Sequence, residues 1–599
     1  DIVINTINQT ALLLENKSTD TINNNYISFT LKGDSIYKNT TGAKLYIYAD
    51  NMVKYNELNV TRGFQSSSTH KIHFGIGKTQ KIDSVKVQWL DGTFQIIKGV
   101  SVNQHHVLTR DNSTQKSTKL TVSDDKKSFR TFPFSHLENN YVDYEKEPLM
   151  PEKLSTEGPA LVKADFNGDG LEDIFIGGAK HQSSELFLRK GDGTYFNKRD
   201  NDFNKDVIYE DVDVTAFDLE KDGDLDLYVM SGGNESVEGD PYLEDRVYIN
   251  DGNANFRRLI APLIKTNGGS VSSGDFDGDG FDDLFIGNRS MSRGYGLSPY
   301  SFILKNSGKG SFEIVKKVRL GMVTDSQWTD LNNDKKLELV VVGDYMPITV
   351  YSYQRDSTFV NDTKKYGLDQ TQGMWNSVLV ADIDGNGERD IIAGNAGLNF
   401  KFKASKERPV KIYIDDFDDN GQVDPIIFYG FFGNNVPFAS KNKLMDQMPS
   451  LKKKFLSYSK FSKIASIEDL TGKPEKDILE IKKIVELRSM MYMNVGNKTQ
   501  EIPLPNQAQM SSIEDVLLDT TDNKQRIIFV GNYLDYTAEL GESNGNSGGV
   551  ISFSNKFDSY HDLPLPRNLN ARKIIKISEN EFLVVANNDK TYIFTLTND

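Results

Sequence analysis

The sequence predicts an all-β protein: a C-terminal β-propeller of seven or eight blades with calcium-binding loops, preceded by a small β-sandwich domain. Three observations carry that expectation. An acidic loop fused to an apolar strand recurs along the chain, and the recurrences start 52 to 57 residues apart. Aromatic residues make up 11% of a chain without long apolar runs, which suits pleated surfaces better than helical cores.

The clearest repeats read DFNGDGLEDIFIGG from Asp165, DLEKDGDLDLYVMSGG from Asp218, DFDGDGFDDLFIGN from Asp275 and DIDGNGERDIIAGN from Asp382. A fifth, DFDDNGQVDPIIFYG, starts at Asp416, and a weakened copy, DLNNDKKLELVVVG, at Asp330. A decayed copy runs from Asp519 into IIFVGN, and residues 573–589 keep the strands without the loop. Units of this length with several short strands mark a propeller and not a helical solenoid. Asp416 follows Asp382 by only 34 residues, which places its loop inside the fifth blade and favours seven blades over eight. The stretch 430–505 breaks the rhythm. Its segments KLMDQMPSLKKKFLSYSKFSKIASIEDL and EKDILEIKKIVELRSMMYM have helical spacing, so a partly helical insertion is expected there.

Each loop has the pattern D-x-[DNE]-x-[DN]-G-x-x-D. In the first, Asp165, Asn167 and Asp169 offer side-chain oxygens, Leu171 its main-chain carbonyl and Asp173 a closing carboxylate. The equivalent sets are Asp218, Glu220, Asp222 and Asp226; Asp275, Asp277, Asp279 and Asp283; Asp382, Asp384, Asn386 and Asp390; and Asp416, Asp418, Asn420 and Asp424. Hard oxygen donors on a short flexible loop suit Ca2+, which accepts six to eight of them. An EF-hand would need an acidic residue at position 12, where this chain has Ile176, Val229, Ile286, Ala393 and Ile427. One such loop is as often an ordinary acidic turn; five on the same strand pattern are not. In the weakened copy Lys335 replaces the glycine and Glu338 the closing aspartate, which weakens the case for an ion at Asp330, Asn332 and Asp334.

Several classes are disfavoured. A net charge of −15 argues against nucleic acid and anionic membrane surfaces, both of which select basic patches. Without cysteine there is no disulfide, thiolate metal site or cysteine nucleophile. No apolar run reaches the roughly 20 residues of a membrane helix. Asp1-Ile-Val-Ile-Asn5 resembles the strand that follows each loop, so residues 1–25 read as the end of a repeat whose loop, with any signal or anchor, lies upstream.

The loops resemble FG-GAP (VCBS) repeats, the units of integrin α-subunit propellers and of many bacterial surface proteins, over residues 155–599. GMVTDSQWTDLNNDKKLELVVVGDYMPI (321–348) is similar to the cartilage-acidic-protein-like branch. Ahead of the propeller, TRGFQSSSTHKIHFGIGKTQKIDSVKVQWLDGT (61–93) and VNQHH (102–106) resemble an ASPIC/UnbV domain, expected over 26–115 as a β-sandwich with period-2 strands. Residues 116–154 then read as a linker. The Asn-rich, Lys-rich composition suggests a Bacteroidetes-type surface protein located outside the cell, by analogy beside an outer-membrane nutrient-uptake transporter, with any membrane association through a partner or an upstream anchor.

For function, a binding module for a protein, glycan or peptide ligand is expected. A scaffold subunit of a membrane complex, docking through the 430–505 insertion, is the second reading, and a glycan hydrolase the third. No GxSxG, HExxH or P-loop is present. His70 with His73, and His105 with His106, are weak candidates for a transition-metal site; packing or surface roles are the commoner fate of such residues. Tyr295, Tyr300, Tyr345, Trp375, Phe431 and Phe432 are candidate ligand contacts, weighed against burial between blades. Trp328 and Trp375 are expected mainly as core.

Overall fold

The computed structural model describes residues 1–599 except 7–8, 18–22, 35–37, 50–51, 111–114, 117–128, 261–262, 355–357, 494–498, 522–523, 555 and 597–599. It divides into two units, Asp1–Lys126 and Lys127–Asp599.

In the first unit, Lys71–Gly77, Asn25–Lys32 and His105–Thr109 form one sheet. Gln115–Lys116, Thr93–Ile97, Ser84–Gln88, Lys44–Ala49 and Met52–Glu57 form the other. Strict alternation drives this layering: in Lys71–Gly77 the side chains of Ile72, Phe74 and Ile76 turn inward, and those between face out. Both sheets contribute to one core around Phe29, Phe74, Leu45, Ile47, Val85 and Trp89. The indole of Trp89 donates to Gln95 Oε1 at 2.6 Å, which meets its one polar requirement. Ile2–Ile4 and Leu12–Leu14 pair as an exposed two-stranded ribbon.

In the second unit, seven antiparallel four-strand arrays follow one another among the described residues, with inner strands Leu161–Ala164, Asp211–Phe217, Asn267–Gly274, Met322–Thr329, Gly373–Ala381, Ile513–Asp519 and Ala571–Lys576; the fourth and fifth join into one eight-stranded sheet where Glu338–Met346 pairs with Gly373–Ala381, and each array is called a sheet below. Second strands such as Asp173–Ile176 and Asp226–Ser231 are wholly buried. Apolar side chains on both of their faces feed the cores between neighbouring sheets. Phe175 shares a core with Val229, Tyr228 with Leu284, and Phe285 with Leu339. Val340 then packs with Ile391, Ile392 with Ile527, and Ile528 with Val584. A seventh core joins Leu583 and Val585 of the last sheet to Ile174 and Ile176 of the first. Six of the inner strands carry a bulge that leaves one residue out of register: Val212, Gly269, Thr324, Asn376, Glu514 or Arg572. All six, with Pro159 just ahead of the first sheet, line one common cavity.

Two segments differ from expectation. Of the expected linker, residues 117–128 lie outside the described set, and Phe129–Ser135 forms the outer strand of the seventh sheet, paired with Lys590–Thr595. Phe132 and Phe134 bury on one face of it, while Pro133 sits at a register break on the open edge, where no ladder donor is needed. The insertion is also more β than its spacing suggests. Glu480–Ile484 pairs with Val410–Asp415 in a four-stranded sheet that also holds Asp424–Phe431 and Asn434–Pro437. Met490–Met493 is the third strand of the fifth sheet. Four consecutive buried apolar residues fit a two-sided strand as well as a helix, so periodicity alone could not separate them. The expected helices are short: Lys441–Gln447, Leu451–Lys454, Tyr458–Phe461 and Ile467–Thr471. Ser440, Ser457 and Ser466 cap three of them, and Leu444, Leu451, Phe455 and Leu470 pack on Tyr413 and Phe428 of the inserted sheet.

Candidate metal centres

Each acidic loop joins the first strand of a sheet to the second; five do so in sheets one to five, and the Asp416 loop does so in the inserted sheet. Positions 4 and 6 both take positive φ: Gly168 and Gly170, Lys221 and Gly223, Gly278 and Gly280, Asn333 and Lys335, Gly385 and Gly387, Asp419 and Gly421. That double left-handed turn points successive N–H groups at the first aspartate. Asp165 accepts from Asp169 N at 3.2 Å and Gly170 N at 2.8 Å. Asp382 accepts from Asn386 N and Gly387 N at 3.0 and 2.9 Å, and Asp416 from Asn420 N and Gly421 N at 2.9 and 2.7 Å. Leu171 N donates to Asp169 Oδ1 at 2.8 Å.

The closing carboxylate is buried and holds the loop to the sheet. Asp173 accepts from Phe166 N of its own loop and from Arg189 N of the third strand. Asp226 and Asp283 repeat the contact to the third strand through Asn250 N and Asn306 N. In the inserted sheet the side chain of Gln447 takes that place on Asp424 at 2.8 Å. Burial, first, and the other loop carboxylates, second, push these groups upward: Asp173 and Asp424 to about 6, Asp226 and Asp283 to about 7. A cation would reverse that push.

Three loops bring carboxylate oxygens within 4.8 Å of one another: Asp275, Asp277 and Asp283; Asp382, Asp384 and Asp390; Asp416, Asp418 and Asp424. Asp283 Oδ2 and Asp418 Oδ1 are buried there without a hydrogen-bond partner. These all-oxygen sets fit a hard divalent ion such as Ca2+, with Asp279, Asn386 and Asn420 as further oxygen donors on the same loops. The first loop makes no such carboxylate triad because Asn167 holds position 3, where its amide donates to Asp169 at 3.1 Å. Nor does the second, where the longer Glu220 holds position 3 and its Oε2 is buried without a hydrogen-bond partner among the described residues. It carries an added carboxyl that spacing did not single out, Asp224 at position 7, raised to about 6 by burial and by Asp222.

In the weakened loop the backbone survives: Lys335 N donates to Asp330 at 2.8 Å despite the lost glycine, and Asn332 Nδ2 donates to Glu338 at 3.0 Å. An amide thus bridges groups that elsewhere converge as carboxylates. In the third loop Lys305 contacts both Asp277 and Asp279, placing an ammonium beside positions 3 and 5.

The candidate ligand contacts divide. Tyr295, Tyr345 and Trp375 are at most 4% exposed and belong to cores, as expected for Trp375 and Trp328. Tyr300 is half-buried beneath Lys317 and Arg319. Only Phe431 and Phe432 stand out, 49% and 89% exposed. The histidines do not assemble a metal site among the described residues: His105 spends its ring nitrogens on Ser28 and Thr30, and His73 stacks on Tyr26.

These features define a class, a repeat-built β-propeller with acidic loops between the first and second strands of its sheets. Family comparison agrees: residues 33–115 match the ASPIC and UnbV family, 165–229 and 330–393 the FG-GAP-like repeat, and 267–294 the FG-GAP repeat. Along the chain, the ASPIC and UnbV match precedes the FG-GAP matches. No curated protein matches it significantly in sequence. Similar solved structures include YCF48 from Cyanidioschyzon merolae, 10% identical, TM-score 0.36, covering 78% of this chain and 99% of that one. BBS1N in complex with ARL6DN is 12% identical, TM-score 0.33, with coverage of 78% and 99%. The V. cholerae biofilm matrix protein Bap1 is 12% identical, TM-score 0.30, with coverage of 79% and 91%.

Proposed function

We propose that this chain is a non-catalytic, extracellular binding module whose seven sheets are the blades of a propeller riveted by Ca2+. FG-GAP propeller repeats support a protein-binding role in general. The observation that carries the calcium reading is the recurrence of one geometry: three carboxylates within 4.8 Å on the same loop of three sheets, two of the triads holding an unpartnered buried oxygen. Those ions hold loops to sheets, which leaves recognition to other surfaces. A protein, or a glycan or peptide, is the proposed ligand, nucleic acid is not, and the cell surface is the proposed location.

Thermal unfolding in excess chelator tests the metal reading. Each site contributes about 2.7 kcal/mol when free Ca2+ exceeds its dissociation constant a hundredfold. Chelation is therefore expected to lower the melting temperature sharply and Ca2+, not Mg2+, to restore it; an unchanged melting curve would sink the reading. A glycan and peptide screen separates retention, expected here, from turnover, which would mark a hydrolase.

The second reading, docking to an outer-membrane transporter complex through the insertion, is favoured by one feature. The hairpin joining Asp424–Phe431 to Asn434–Pro437 displays Phe431 and Phe432 at its tip. Deleting that hairpin and following complex assembly separates a docking element from a free binding module.

A further inference from the structure

Away from the loops, a second group of oxygens is buried without donors. Glu210, just ahead of the second sheet, is 2% exposed, and neither of its carboxylate oxygens has a hydrogen-bond partner among the described residues. Burial apart, the charges that bear most on it are those of Glu138, which lies with Asn139 on the segment after the outer strand of the seventh sheet, and of Glu235, which lies with Asn234 on the connection after Asp226–Ser231. Contacts tie the three segments together. Asn139 Nδ2 donates to Glu235 Oε1 at 2.5 Å, and a Cβ placed on Gly233 would stand 2.9 Å from Glu210 Oε2.

The hydrogen bonds that do form fix which atoms are left over. The amide nitrogen of Asn139 is spent on Glu235, and that of Asn234 on Asp143 and Glu147 at 3.0 and 2.8 Å, so each leaves its Oδ1 free and buried. Glu138 Oε1 accepts from Asn587 at 2.6 Å, while its Oε2 has no partner. The remainder is two oxygens of Glu210 and one each of Glu138, Asn139 and Asn234. All are acceptors. Lys180 is engaged by Glu235, Arg572, whose charge acts on Glu138, is paired with Glu514 and Asp535, and His136, 3.6 Å from Glu138, has at most one N–H to give when neutral. Buried acceptors in such excess over donors call for positive charge.

We propose that these residues form a cation site for a hard divalent ion of the Ca2+ type. Glu210 and Glu138 are its charged ligands, and the amide oxygens of Asn139 and Asn234 its neutral ones. Two carboxylates balance the charge of one such ion, and carboxylate and amide oxygens are the donors it prefers. Glu138, Glu210 and Glu235 do not crowd within 4.8 Å as the loop triads do, so water completes the shell. The ion would staple the segment that enters from the seventh sheet to the residue just ahead of the second sheet and to the connection between that sheet's second and third strands.

The test counts ions on the full chain. By native mass spectrometry in Ca2+, Glu210→Gln and Glu138→Gln are each expected to carry one ion fewer than the wild type. Asp283→Asn, a loop variant, should lose its own ion and keep this one, so failure of the loop reading and failure of this one are distinguishable. Crystals of the unmodified protein soaked in Tb3+ should show an anomalous peak between Glu210, Glu138 and Asn139. An unchanged count in both glutamine variants, or ordered water without an anomalous peak at that position, overturns the proposal. Should the variants fail to fold, the Tb3+ map decides alone.

Discussion

In the sixth sheet Arg526 pairs across from Asp519 in the register where, in the first sheet, the closing Asp173 pairs with Ala164. Its guanidinium lies 2.6 Å from Asp519, and Lys576 reaches the other oxygen at 2.6 Å. Burial works against that carboxylate, yet Lys576, Thr521 and Arg526 hold it below its usual range. A covalent cation thus serves a sheet whose acidic loop has decayed. Asp245 meets the same problem with hydrogen bonds: 1% exposed, it accepts from Ser231 N at 2.9 Å and from the Tyr228 hydroxyl at 2.7 Å. Burial pushes it from 3.8 to about 7, with Glu244 adding and Arg246 opposing. A folded value raised above the unfolded one contributes stability that is fully present below pH 3.8 and lost as pH rises through about 7. Asp245→Asn, which cannot ionise, should therefore gain on the wild type between pH 4 and 7, by about 1–3 kcal/mol, and hold a constant margin above. Chemical denaturation of both proteins across that range checks it; a margin independent of pH contradicts the assignment.

Loops and insertion differ in how much local sequence says about them. A loop's geometry is written within nine residues, so spacing located every acidic loop and its closing carboxylate. What spacing missed was which carboxylates meet, because Asn167, Glu220 and Lys305 change the local contacts without changing the pattern. In the insertion, Glu480–Ile484 was legible only through its partner Val410–Asp415, some seventy residues earlier. The hairpin tip shows the reverse case, a locally unfavourable residue kept. Phe432 has φ 44°, a region bulky side chains rarely adopt, while its ring is 89% exposed and stacks edge-on against Phe431 at 4.6 Å. Phe432→Gly should accordingly leave the melting temperature within a few degrees of the wild type, since little apolar burial is lost and the backbone relaxes. A large drop would mean that the ring packs and is not displayed.

At the scale of the whole second unit, the decisive contact joins its ends. Phe129–Ser135 pairs with Lys590–Thr595 across more than 450 residues, so no local pattern could announce it, although the inward alternation of Phe132 and Phe134 was present in the sequence. The core it completes gathers Phe132, Phe134, Ile174, Ile176, Phe187 and Ile593, with Phe132 4.7 Å from Phe187. Six inter-sheet cores are made between sheets close in sequence; this one alone joins the last sheet to the first, so opening the unit should begin here. Phe132→Ala would remove an aromatic ring that is 5% exposed, at a cost of about 3–5 kcal/mol. The loss should also be local before it is global. Amide exchange is expected to accelerate first in Phe129–Ser135 and Lys590–Thr595 and to stay slow in Glu338–Met346, three sheets away. Uniform acceleration across all the sheets would place the weak seam elsewhere in the ring.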